Sequence, residues 1–254
     1  MASLLNKLKD VTTGGSRAKE NADLAERQPD AGKGQSEKKS DKNSETKAQT
    51  SNPNAKTIYF ITSNKEKLAE ITDLLEDNED INLVAKDIDL DEYQGDPEEI
   101  AKKKCKAAQK MVDGAILIED VSLCFKALNH LPGPYVKWFV EDLKLEGFSK
   151  ILTAYDDKRA IAQVIYAYGE KDKDGNPTEP KLFTGESKGI IVSPRPVKYE
   201  QSEGWHPVFI PDGQPKGEER TYSEMSKQER NQISYRRIAV DKIIKHFSKD
   251  LNKK

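Results

Sequence analysis

Thr57 to Leu75 reads TIYFITSNKEKLAEITDLL, and its interpretation decides the fold class. The apolar run Ile58–Ile61 stops abruptly at Thr62-Ser63-Asn64. Beyond it Leu68, Ile71, Leu74 and Leu75 recur on one face of a helix. Strand, small polar turn and helix follow one another within 19 residues. Backbone N–H groups, hydroxyls and the positive end of a helix at such a turn suit an anion, and Lys67 in the first turn reaches the same place. The same residues also read as an ordinary β–α turn in which Asn64 only caps the helix.

Beyond this stretch, Ile81–Ala85 predicts a second strand. Asp96-Pro97-Glu98-Glu99 opens a helix running to about Val112, with Asp as cap, Pro at the first position and acids in the first turn. Asp113-Gly114 stops it. Ala115–Ile118 predicts a short buried strand ending at Glu119-Asp120, and in open α/β sheets ligands bind beyond the carboxyl ends of strands. Leu123–Leu128 is a short apolar segment, and Leu131-Pro132-Gly133-Pro134 is a turn feeding a helix over Tyr135–Leu143. Phe148–Tyr155 predicts another short helix. Arg159–Tyr168 and Lys181–Val192 flank a turn-rich loop and form a hairpin. Gly204-Trp205-His206-Pro207 leads to a short strand at Val208–Ile210, and one long helix is expected over Lys227–Phe247. The fold class is α/β or α+β around a mixed sheet.

Residues 1–55 differ in kind. They contain no aromatic residue, and after Leu4, Leu5 and Leu8 they are charged and polar. Such a segment buries too little apolar surface to offset its ordering entropy, so it is expected to be a disordered charged tail. The formal net charge of −2 gives no global argument for nucleic-acid or membrane binding. Association with nucleic acid or a polymerase through the Lys-containing tail is a weak reading, because the tail's charges are mixed. No apolar stretch approaches the roughly 18 residues of a membrane span, and the N-terminus lacks a signal peptide's apolar core. Cys105 and Cys124 build no disulfide framework and read as core residues, so a reduced, cytoplasmic compartment is expected. His130, His206 and His246 show no zinc-ligand spacing.

The chemistry-bearing residues suit phosphoryl transfer. Lys67, Lys104 and Lys137 supply positive charge, Glu92 and Asp120 supply hard oxygens, Thr62, Ser63 and Asn64 form the turn, and Ser234-Tyr235-Arg236 is a polar cluster in the last helix. Mg2+ takes one or two carboxylates plus phosphate oxygens and water. Each member has a plainer reading too. Lys102-Lys103-Lys104 also suits a solvated helix face, and Asp91 and Glu92 an exposed loop. The P-loop pattern is absent.

TIYFITSNKEKL, IDLDEYQG, EEIAKKKC, ILIEDVSLCF, LPGPYVKWF, GWHPVF, PDG and TYSEMSKQERNQISYRR, in that order, resemble the motifs of the inosine triphosphate pyrophosphatases. These enzymes clear non-canonical purine nucleotides. Some plant viruses carry such a domain, and a tailed, divergent sequence fits that setting. The resemblance implies a two-lobed α/β domain around a long mixed β-sheet over residues 56–250, a homodimer, and Mg2+-dependent hydrolysis of ITP, dITP and XTP to monophosphate and pyrophosphate. It implies that Thr62, Ser63, Asn64 and Lys67 hold phosphates, that Lys104 and Lys137 contact the nucleotide, and that Glu92 and Asp120 bind magnesium. Asp120, Lys67 and Glu119 become the candidate catalytic residues, Asp120 helping to activate water. Gly204, Trp205, His206, Arg230, Ser234, Tyr235 and Arg236 fall to the base side.

The departures from the family's usual pattern cluster there. Its Phe-Gly-Trp-Asp is Glu203-Gly204-Trp205-His206, its Ser-His-Arg is Ser234-Tyr235-Arg236, and Arg230 stands where Lys is common. The phosphate half is intact while the base-reading half is rewritten, which implies altered base selectivity. A non-catalytic descendant that binds nucleotide or a partner protein is the alternative.

Overall fold

The structure, a computed structural model, describes residues 52–199 and 204–251. The tail expected over 1–55 therefore lies outside the described residues except for its last four positions, and Glu203 lies outside them altogether.

In chain order the elements are β1 (Lys56–Ile61), α1 (Lys65–Leu74), β2 (Ile81–Lys86), α2 (Pro97–Met111), β3 (Ala115–Phe125), β4 (Pro132–Gly133), α3 (Val136–Ile151), β5 (Arg159–Gly169), β6 (Lys181–Ile191), β7 (Phe209–Pro211), α4 (Lys227–Ile233) and α5 (Tyr235–Leu251). Among the described residues they form one mixed sheet of seven strands, in the order β2-β1-β3-β5-β6-β7 with β4 beside β3. β2, β1 and the start of β3 are parallel; β3, β5, β6 and β7 are antiparallel. The sheet changes character at β3, which has a parallel neighbour on one side and an antiparallel one on the other.

The pleat divides the core. Leu117, Val121, Leu123 and Phe125 of β3 pack with Ile71 and Leu74 of α1 and Ala239, Val240 and Ile243 of α5. Ile116 and Ile118 pack on the other face with Ala101, Cys105 and Ala108 of α2. Alternate residues of one strand thus serve two cores. α5 lies directly on β6 at Gly185, where an added Cβ would stand 1.9 Å from the Tyr235 carbonyl oxygen. Only a residue without a side chain permits that approach.

Several expectations needed correction. β3 does not end at Ile118 but runs through Glu119 and Asp120 to Phe125, absorbing part of the separate segment expected at Leu123–Leu128. Ten paired positions with β5 carry it onward, whereas its parallel pairing with β1 stops at Ile118. The expected long C-terminal helix is two helices. Ser234 is extended (ψ 145°), and its hydroxyl accepts the Arg237 N–H to cap α5. The Ile233 carbonyl, released from helical pairing, accepts the Ser187 hydroxyl at 2.8 Å. The two helices expected at Tyr135–Leu143 and Phe148–Tyr155 abut at Lys144 (φ 56°), followed by a 3-10 turn at Leu152–Ala154. Asp96 precedes α2 as expected but makes no side-chain capping bond. His206–Val208 is a 3-10 turn, and the strand begins only at Phe209.

Candidate active site

β1 ends where β3 continues, and a cavity of about 520 Å³ opens at that step. Thr62, Ser63, Asn64 and Lys67 line it from the β1–α1 turn, Glu92 from the loop after β2, Lys104 from α2, Glu119 and Asp120 from β3, Lys137 from α3, and Gly204 and Trp205 from the segment before β7. Eleven residues scattered over 144 positions of sequence therefore share one wall.

The turn is ordered by its own side chains. Thr62 Oγ1 accepts the Asn64 N–H at 3.1 Å, and Asn64 Oδ1 accepts those of Glu66 at 2.8 Å and Lys67 at 3.2 Å. Asn64 does cap the helix, and by doing so it fixes the first turn that carries Lys67 into the cavity.

The carboxylates divide into three environments. Glu92 lies 2.6 Å from Lys104 Nζ, and Lys104 is 3.8 Å from Asp120 Oδ1. Partial burial works to raise the Glu92 pKa, but the Lys104 hydrogen bond and charge, with Lys137 and Lys67 beyond, outweigh it, and the carboxyl sits below its ordinary value. Burial raises the pKa of Asp120, opposed by Lys104 and Lys67 and reinforced by Glu92 and Glu119. Asp120 Oδ2 is buried with no hydrogen-bond partner. Glu119, whose side chain is 1% exposed, is 3.5 Å from Lys67 and 2.9 Å from Arg236 Nη2, and accepts the Tyr166 hydroxyl at 2.7 Å.

Mg2+ fits the Glu92–Asp120 side of this wall. A buried carboxylate oxygen lacking a donor is an open position for a cation, and a second carboxylate stands nearby. Among the described residues no cluster of three or more His, Cys, Asp or Glu side chains is arranged to hold a metal. Magnesium needs only one or two when phosphate and water complete its shell.

The base-side residues separate into two groups. Gly204 and Trp205 face the cavity. His206, Arg230, Ser234, Tyr235 and Arg236 instead surround a void of about 10 Å³ together with Glu70 and Tyr222, room for about one water. Arg236, 2% exposed, is not among the residues lining the cavity. Its Nη1 lies 2.6 Å from Glu70 and 2.8 Å from the Tyr235 hydroxyl. Trp205 stacks on Tyr235, with ring centroids 5.7 Å apart and planes at 30°. Trp205 is thus the partition between cavity and buried cluster.

The Ham1 family model matches residues 58–246. The chain belongs to the Ham1 family. Solved structures of Ham1 proteins share its fold. The Staphylococcus aureus Ham1 protein superimposes with a TM-score of 0.63 at 24% identity, over 77% of this chain and 100% of that one. A HAM1 protein from Coxiella burnetii gives 0.64 at 24% identity, over 76% and 98%. A Mycobacterium abscessus protein described as a nucleoside-triphosphatase and dITP/XTP pyrophosphatase gives 0.53 at 22% identity, over 74% and 97%. At these identities the likeness is one of fold.

Three members of the buried cluster, Glu70, Tyr166 and Tyr222, are not among the site residues expected from the sequence. Glu70 sits on the apolar stripe of α1, three residues after Lys67 and next to buried Ile71. An acid on that stripe was the available signal. Tyr166 lies in a strand of near-continuous core residues and gave no sign of its bond to Glu119.

Proposed function

We propose that this Ham1 protein hydrolyses non-canonical purine nucleoside triphosphates such as ITP, dITP and XTP to the monophosphate and pyrophosphate. The observation that carries the reading is the convergence of Lys67, Lys104 and Lys137 with Glu92 and Asp120 on one cavity beside a capped helix start. Three ammonium groups suit a polyphosphate, and a largely buried carboxylate of raised pKa suits proton removal from water.

On this reading the β1–α1 turn and Lys67 hold the outer phosphates, and Lys104 and Lys137 neutralise oxygens on which charge builds as pyrophosphate departs. Asp120 orients water toward the α-phosphorus and takes its proton. Glu92 and Asp120 would hold Mg2+, which when bound polarises phosphate oxygens and stabilises the leaving group. Gly204 and Trp205 form the wall against the base. His206, Arg230, Ser234, Tyr235 and Arg236 set that wall from behind, where Glu70 and Glu119 balance the two guanidinium charges. A preference for 6-oxo bases is what the family resemblance implies. The family resemblance carries the further expectation of a homodimer. Among the described residues no helix is long and apolar enough to cross a membrane.

Product analysis tests the reading. Inosine monophosphate and pyrophosphate in equal amounts support it; inosine diphosphate and orthophosphate contradict it.

A further inference from the structure

Consecutive side chains of β3 serve different faces of the sheet. Asp120 falls with Ile116 and Ile118 on the α2 side, where Lys104 meets it. Glu119 falls with Leu117 and Val121 on the side covered by α1 and α5. From the phosphate turn inward, charges alternate along that side. Lys67 is 3.5 Å from Glu119, Glu119 is 2.9 Å from Arg236, Arg236 is 2.6 Å from Glu70, and Glu70 is 3.0 Å from Arg230. Arg236 then reaches the cavity wall a second way, donating to the Tyr235 hydroxyl whose ring stacks on Trp205.

We propose that Glu119 is a positioning residue that couples the phosphate end of the cavity to its base wall, shared between Lys67 and Arg236 until Lys67 turns to a phosphate. The pair lengths support the exchange. The Lys67–Glu119 separation of 3.5 Å exceeds the roughly 2.7–2.9 Å of a direct charge-assisted hydrogen bond, while the Arg236–Glu119 contact falls within that range. Lys67 is also the more exposed partner, at 23% against 2% for Arg236. A polyphosphate anion draws Lys67 away at small cost, and Glu119 then closes fully on Arg236. The Tyr166 hydroxyl holds the carboxylate in place throughout. Arg236 is steadied, and through Tyr235 so is Trp205. By linkage, whatever phosphate occupancy does for the base wall, base occupancy does for phosphate affinity.

The identity of the two ligands rests on the pyrophosphatase reading; the relay itself rests on the geometry. The test is a calorimetric titration of the full chain with inosine monophosphate, with and without saturating inorganic pyrophosphate, magnesium being present in both. In the wild type, pyrophosphate should tighten monophosphate binding at least about fivefold. In Glu119→Gln the tightening should fall below about twofold, with thermal melting to confirm folding. Tyr166→Phe keeps the carboxylate and both cations but frees the carboxylate from its hydroxyl donor, so it should weaken the coupling less than Glu119→Gln does; a greater loss in Tyr166→Phe overturns the proposal. Equal tightening in wild type and Glu119→Gln overturns the proposal. So does its absence from the wild type, which decides the matter even if Glu119→Gln does not fold. ITP turnover in the same preparations separates the two readings. A protein that couples without turnover contradicts the pyrophosphatase function and leaves the relay standing; one that turns over without coupling removes the relay alone.

Discussion

His206 Nε2 lies 3.4 Å from the Tyr235 hydroxyl, in a fully buried contact. These are two of the positions at which the sequence leaves the usual pattern of the pyrophosphatases it resembles, so two departures that are 29 residues apart in sequence share one contact. Burial lowers the His206 pKa well below 6.5, helped by the charges of Arg230 and Arg236. The imidazole is therefore neutral at physiological pH. A neutral group meets the Tyr235 hydroxyl, and the carboxylates against the two arginines come from Glu70 and Glu119 instead.

That assignment predicts a pH dependence of known sign. The folded pKa of His206 is depressed, so below pH 6.5 the unfolded chain binds a proton that the folded chain refuses. The stabilisation is fully present above pH 6.5 and is lost as pH falls from there toward the folded pKa, at up to about 1.4 kcal/mol per pH unit. Melting temperatures on both sides of that window should fall with acid more steeply in the wild type than in His206→Asn. Parallel slopes would show that His206 does not titrate on unfolding.

Asp120→Asn should reduce turnover about a hundredfold or more, the usual scale of losing a general base. It should leave the melting temperature unchanged or higher at neutral pH, because Asp120 is a carboxylate whose charged form burial disfavours. Loss of activity together with a large fall in melting temperature would instead make Asp120 a structural residue.

Arg236→Met should be among the costliest single changes in the domain. It leaves Glu119 and Glu70 facing a thioether in place of a guanidinium, and breaking a buried pair from one side costs about 3–5 kcal/mol. Denaturant titration measures it. A change within about 0.5 kcal/mol would mean that the cluster is solvated and contributes as a surface pair does.

Gly185→Ala tests how the base side is held. The new methyl would meet the Tyr235 carbonyl and the Ala239 backbone nitrogen, so the start of α5 must shift. Overpacking of this kind costs about 1–3 kcal/mol. Because Tyr235 and Arg236 move with that helix, affinity for nucleotide should fall more than stability alone explains. Unchanged affinity would separate α5 from the site.

The sequence exposed what is local. The strand–turn–helix at Thr57–Leu75, the hairpin and the α2 helix follow from periodicity and punctuation, and the cavity wall from Thr62 to Trp205 follows from motif order. What it hid depends on the sheet. Glu119 and Asp120 looked alike because pairing with β5, which carries β3 past them and assigns them to opposite faces, is a long-range contact. The break at Ser234 was masked by a helical apolar pattern that continues across it. The engagement of Arg236 depends on Glu70, 166 residues away, and on β3, which no spacing rule connects to it.

Pyrophosphate release by the full chain with magnesium, comparing ITP, dITP and XTP with ATP and GTP, tests the pyrophosphatase function most directly. Release should occur, and faster for the three non-canonical triphosphates, the preference that the resemblance to the inosine triphosphate pyrophosphatases implies. Release that stays at background for every nucleotide would contradict the pyrophosphatase function and favour a descendant of the Ham1 fold that binds without catalysis.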